Sequence, residues 1–107
     1  MEIEFQYFNG CPNSETTLRN LQRLVEEKYE NRLIIKMVYV PTPELAEQLH
    51  FQGSPTILVN GYDLYSKERP AGSSYSCRVY NLDGKLTGVL PIDFIETRIG
   101  ELLESRA

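Results

Sequence analysis

Ile3-Glu4-Phe5-Gln6-Tyr7-Phe8-Asn9-Gly10-Cys11-Pro12-Asn13-Ser14 changes its structural period at the Asn9-Gly10 step. Residues 3–8 mix β-branched and aromatic side chains and end on a turn-forming dipeptide, which predicts a short strand. Beyond it, Leu18, Leu21, Val25 and Tyr29 recur at three- and four-residue spacing, with Arg19, Arg23, Glu26, Glu27 and Lys28 falling mostly between them. That spacing predicts an amphipathic helix over 12–29. Pro12 suits the first helical position, where its missing N–H had no partner to lose, and Glu15 complements the dipole of the first turn. Cys11 is thereby set at a strand-to-helix junction.

Working outward, residues 33–40 are a nearly unbroken apolar run interrupted only by Lys36, the pattern of a strand covered on both faces in a partly parallel sheet. Strand, helix and strand make a βαβ unit. Thr42-Pro43-Glu44 repeats the signature of cap, proline and acid, opening a short helix with Leu45, Ala46 and Leu49 on its buried stripe. That helix is expected to stop near Phe51-Gln52-Gly53. Thr56-Ile57-Leu58-Val59 is a third strand, closed by Asn60-Gly61, whose residues tolerate positive φ.

Two segments compete for the return strand. Asp63-Leu64-Tyr65 would pair at once, whereas Cys77-Arg78-Val79-Tyr80 would pair after a loop over 62–76, and the second is preferred. Pro91 then opens a helix whose Ile92, Ile95, Ile99, Leu102 and Leu103 share a face, running to near Ser105, with Arg106 and Ala107 expected to fray. The predicted order is βαβαββα: an α/β domain over 1–107 with a central mixed four-stranded sheet flanked by three helices.

At 107 residues and 41% hydrophobic content, the chain is sized for one domain and one core. A net charge of -4 argues against nucleic acid, whose binding needs clustered Lys and Arg to displace counterions. The acidic start Met1-Glu2-Ile3-Glu4-Phe5 lacks the basic and apolar regions of a signal peptide, and no apolar run approaches the roughly 20 residues of a membrane helix. A cytoplasmic location is expected, with no membrane partner. Two cysteines in such a setting are more often free, catalytic or metal-binding than structural.

The strand order, Cys11 at the first strand-to-helix junction, and Gly53-Ser54-Pro55-Thr56 leading into the third strand together resemble the thioredoxin superfamily. The resemblance covers nearly the whole chain. It implies a thioredoxin-like fold, a nucleophilic Cys11, and a cis Ser54–Pro55 bond that turns the backbone of Ser54 toward the sulfur to pair with an extended substrate segment. Pro12, Ser14, Ser54, Pro55 and Thr56 are the implied substrate-contacting residues. A closer resemblance is to small bacterial and archaeal thioredoxin-like proteins sharing Tyr7-Phe8-Asn9-Gly10-Cys11-Pro12-Asn13, the segment from Phe51 to Gly61 with its Gly53-Ser54-Pro55-Thr56, and Ser76-Cys77-Arg78-Val79-Tyr80, some of them labelled alkylmercury lyases. The cooperating thiols and carboxylate of that label have no residue-by-residue match.

Three departures bear on the chemistry. Ser14 replaces the second cysteine of the Cys-x-x-Cys pattern, Phe5 stands where a buried acid is usual, and the Gly-Gly pair by which glutaredoxins hold glutathione is absent. Cys-Pro-x-Ser resembles monothiol glutaredoxins. A free thiol has a pKa of about 8.5 and is more reactive where helix N–H groups stabilise the thiolate, whereas a buried cysteine is inert. Cys77 is either a strand core residue or a distant resolving thiol, and sequence alone leaves the two open. Ser14 is a plain first-turn residue or a donor to the thiolate, and His50 complements a helix C-terminus. The 62–76 loop is a substrate-covering flap or a mobile connection, with Tyr62, Tyr65 and Tyr75 as an aromatic surface or as packing.

The expected function is a monothiol thioredoxin-like or glutaredoxin-like protein acting through Cys11 on a thiol or disulfide of a protein or of a low-molecular-weight thiol. The alternative is a non-catalytic module binding a soft metal or a protein partner. No cofactor and no resident metal is assigned, and the oligomeric state is open.

Overall fold

A computed structural model describes residues 2–30 and 32–105; the expectation for Arg106 and Ala107 lies outside them. The elements, in chain order, are β1 (Glu2–Tyr7), α1 (Pro12–Lys28), β2 (Ile34–Tyr39), α2 (Pro43–Leu49), β3 (Thr56–Val59), β4 (Tyr62–Asp63), β5 (Tyr80–Leu82), β6 (Lys85–Thr87) and α3 (Ile92–Ser105). The first four strands form a mixed sheet in the order β2-β1-β3-β4, and β5 and β6 form a separate two-stranded sheet. With three helices among the described residues, this is an α/β architecture.

The centre of the sheet follows from alternation. Ile3 and Phe5 of β1 stand opposite Val59 and Ile57 of the antiparallel β3, and all four are buried on one face. Leu21, Leu24 and Val25 of α1 and Ile95, Ile99 and Leu102 of α3 close over that face in one cluster. Leu18 and Tyr29, expected within the α1 stripe, lie at its margin, and Leu24 takes the central place. A second, smaller cluster joins Val40, Ala46 and Phe51, flanked by Leu45, Leu49 and Tyr75. Thr42 caps α2 by accepting from the Leu45 N–H at 3.2 Å, as its sequence suggests.

Two expectations are corrected. The run 33–40 is not covered on both faces: among the described residues β2 pairs only with β1, in parallel, and Ile34, Met37 and Tyr39 are exposed. An apolar run does not by itself say which side of a strand is covered. The return strand is the immediate one, not Cys77-Arg78-Val79-Tyr80. Asn60 and Gly61 adopt φ of 53° and 84°, and this two-residue turn directs Tyr62 and Asp63 straight back onto Val59 and Leu58. The chain then leaves the sheet and returns over the loop before β3. A second positive-φ pair, Asp83 and Gly84, closes the β5–β6 hairpin, which the predicted order omitted.

No helix of the described residues is long and apolar enough to cross a membrane.

Candidate functional site

Cys11 is the N-cap of α1, in extended conformation and with no side-chain hydrogen bond capping the helix start. Proline at the next position begins the helix, so the strand-to-helix junction fixes where the sulfur sits. The opposing element is the loop Gly53-Ser54-Pro55, in which the Ser54–Pro55 peptide is cis. The third is a strap, residues 74–78, that runs back across this loop.

Cys11 and Cys77 are joined by a disulfide, with Cα atoms 5.7 Å apart and a sequence separation of 66. The helix start has no second cysteine of its own, yet Cys11 has a partner thiol, brought in from the strap. The placement of Cys77 at the head of the fourth sheet strand is therefore corrected: it pairs with Ser54 in an isolated parallel bridge. The Ser54 N–H donates to the Ser76 carbonyl at 2.8 Å, and the Arg78 N–H donates to the Ser54 carbonyl at 2.9 Å. Both main-chain groups of Ser54, expected to receive a substrate segment, are thus occupied by this chain's own residues on either side of Cys77.

Several contacts hold the strap. Gly53 lies beneath it at φ of 110°, and an added Cβ would meet the Arg78 Cβ at 3.0 Å and the Ser76 carbonyl oxygen at 3.2 Å, so only glycine permits this approach. The Ser74 N–H donates to the Phe51 carbonyl at 2.7 Å. Tyr75 stacks edge-on with Phe8, centroids 4.6 Å apart, and its hydroxyl donates to the Val40 carbonyl at 3.2 Å. Arg78 grips Asp63 through two nitrogens, at 3.0 and 2.6 Å, and donates to Thr56 Oγ1 at 3.2 Å. The Asp63 side chain is 3% exposed and that of Arg78 12%. Burial works to lower the Arg78 pKa, but the hydrogen bond and charge of Asp63, with Tyr80 alongside, outweigh it and hold the guanidinium above its usual value. The buried Tyr80 hydroxyl donates to the Pro55 carbonyl, linking the hairpin to the cis-proline loop.

The site residues expected from sequence divide by exposure. Pro12 is exposed, while Ser14, Ser54, Pro55 and Thr56 are buried. Ser14 does not meet the sulfur: its hydroxyl lies 2.8 Å from that of Ser54, which also accepts the Phe8 N–H at 3.2 Å. Thr56 Oγ1 donates to the Gly53 carbonyl at 2.6 Å. These hydroxyls join α1, β1 and the cis-proline loop to one another. Nor do the neighbouring cations face the thiols as a group: Arg78 is taken by Asp63, Lys67 reaches Glu101 at 3.5 Å, and Arg69 stacks on the Tyr62 ring. His50 ends α2 in a left-handed conformation, its ring nitrogen 3.2 Å from the Gly72 carbonyl, and so also tethers the strap region.

A cleft of about 490 Å³ opens where α1 meets the β1–β2 end of the sheet, lined by Cys11 itself together with Tyr7, Phe8, Pro12, Leu18 and Met37 among others. Among the described residues no group of three or more His, Cys, Asp or Glu side chains converges as a metal site would. The Arg78–Asp63 clamp escaped sequence reasoning, since residues 15 apart with no shared periodicity give no signal of pairing.

No protein-family model matches the chain, and no curated protein or solved structure matches it.

Proposed function

We propose that this chain is a thiol–disulfide redox protein of thioredoxin-like architecture whose working couple is Cys11 and Cys77. The carrying observation is the disulfide itself, set between an uncapped helix start and the residue that precedes a cis-proline. Helix N–H groups favour a thiolate at Cys11, and the strap keeps the second sulfur in bonding range, so bond formation and opening need no large search. The strand order β2-β1-β3-β4, with its cysteine at the β1–α1 junction, supports the thioredoxin-like reading.

The chemistry balances as two exchanges. An external thiolate attacks one sulfur of the pair, forming a mixed disulfide and expelling the other cysteine as thiolate. A second external thiolate attacks the substrate sulfur of that mixed disulfide, releasing an external disulfide and leaving both cysteines reduced. Run backward, the dithiol reduces a substrate disulfide. The expected single-thiol action at Cys11 thus gives way, in this proposal, to a couple whose resolving thiol is remote in sequence.

The test is equilibration of folded protein across a series of thiol/disulfide buffers, with acid quench, alkylation and mass measurement. A single reversible two-electron transition is expected. A disulfide that survives a large excess of dithiothreitol under native conditions would sink the proposal and leave the second reading, a non-catalytic module stapled by this bond. The occupied backbone of Ser54 and the burial of Cys11 favour that second reading. Its soft-metal version requires both sulfurs as thiolates, and so the same reduction.

A further inference from the structure

Resting on the redox reading above, we propose that Cys77, and not Cys11, is the sulfur that an external thiolate attacks and that carries the mixed disulfide. The two halves of the bond are not equivalent. Cys11 is 7% exposed at the root of α1, whereas Cys77, between exposed Ser76 and half-buried Arg78 on the strap, is itself exposed. Exchange at a disulfide depends on access to the attacked sulfur and on how well the other sulfur leaves as thiolate. Both criteria select the same atom. Attack runs in line, entering at Cys77 on the side away from Cys11 and expelling the Cys11 sulfur toward the uncapped first turn of α1, whose partly positive end stabilises the negative charge.

The bonds balance without a further reactant. The Cys11–Cys77 bond breaks as the bond between Cys77 and the external sulfur forms, and the electron pair remains on Cys11. Return attack by Cys11 on Cys77 regenerates the original disulfide, while attack by a second external thiolate on the external sulfur completes reduction and leaves Cys77 as thiolate. By microscopic reversibility, Cys77 is also the nucleophile when the dithiol reduces a substrate disulfide.

The strap explains why this arrangement is workable. Ser76 and Arg78 hold Ser54 from both sides, and Arg78 is locked on Asp63, so opening the disulfide leaves Cys77 where it was. The mixed disulfide therefore stays within reach of Cys11. On the strap beside Cys77 the Ser74 and Ser76 hydroxyls lie 2.9 Å apart, and the Arg78 charge is already matched by Asp63. A small polar thiol fits that setting. The cleft beside Cys11 offers the competing approach, to the other sulfur.

Oxidised wild-type protein is exposed briefly to reduced glutathione, quenched in acid, digested and mapped by mass spectrometry. Glutathione on the Cys77 peptide in roughly tenfold or greater excess over the Cys11 peptide is the expected result. A preference for Cys11, or an even split, overturns the assignment while leaving the redox couple intact. If resolution outruns the quench, the folded single-cysteine proteins decide: Cys11→Ser, which keeps Cys77, should react with glutathione disulfide about tenfold faster than Cys77→Ser, and equal or reversed rates overturn the proposal. A wild-type disulfide that dithiothreitol cannot open is a different outcome, and it removes the underlying redox reading instead.

Discussion

The two cysteines meet in one bond but are held there by opposite kinds of structure. Cys11 is carried by regular elements: β1 is central in the sheet, α1 is anchored by Leu21, Leu24 and Val25, and the junction between them leaves the sulfur no freedom of place. Cys77 belongs to no strand or helix and is held by a short series of individual contacts to Ser54, Phe51, Val40 and Asp63. The contrast teaches that one half of the site is a property of the fold, while the other depends on a few named atoms. Perturbing the strap should therefore disturb Cys77 without moving Cys11.

The bond between the halves has the largest expected effect. Replacing Cys77 with Ala frees a closure spanning 66 positions, and loop-closure entropy places the loss near ~4 kcal/mol. Urea unfolding of oxidised wild type against this variant measures it. A loss well under ~1 kcal/mol would mean that the strap contacts hold the fold with or without the disulfide.

Asp63→Ala comes next and attacks the strap alone. It leaves the Arg78 guanidinium largely buried and unpaired, at a cost of about 3 kcal/mol. Amide exchange should quicken at Ser54 and Arg78 while the Leu21–Val25 turn of α1 stays protected. Faster exchange throughout α1 would erase the distinction between the two halves. The paired change Asp63→Leu with Arg78→Met removes both charges and should recover most of the lost stability.

Tyr80→Phe is the finest probe. It removes one buried hydrogen bond, to the Pro55 carbonyl, for about 1 kcal/mol. Burial is the leading cause that raises the Tyr80 hydroxyl above its usual value of 10.0, with the Arg78 charge opposing it. The raised folded-state value means that the unfolded chain ionises first. This contribution to stability is complete below the unfolded value and is lost as pH climbs past it. Alkaline unfolding of the wild type should therefore steepen above about pH 10 more than that of Tyr80→Phe. Parallel curves for the two proteins would show that the hydroxyl plays no part.

The elements that carry Cys11 were legible because they repeat a pattern over many residues: the alternation of Ile3 and Phe5, the stripe through Leu21 and Val25, and the Ile95-Ile99-Leu102 face of α3. Those that carry Cys77 were not. β4 is two residues long, too short for any period, and the only local signal for it is the Asn60-Gly61 turn. Asp83-Gly84 was an equally good signal for the β5–β6 hairpin. The pairing of Cys11 with Cys77 depends on the Gly53 crossing and on the Arg78–Asp63 contact, which join residues that no local pattern relates. The coverage of β2 was misjudged for a related reason, since an apolar run records composition and not which neighbours arrive.

That uncovered β2 has a consequence for the protein in bulk. Its outer backbone edge, bordered by exposed Ile34, Met37 and Tyr39 and interrupted by Lys36, is a ready template for a strand from another molecule. One lysine is a thin guard against such strand addition. Concentrated solutions should cloud first through this edge, and a second charge at Met37 should keep them clear.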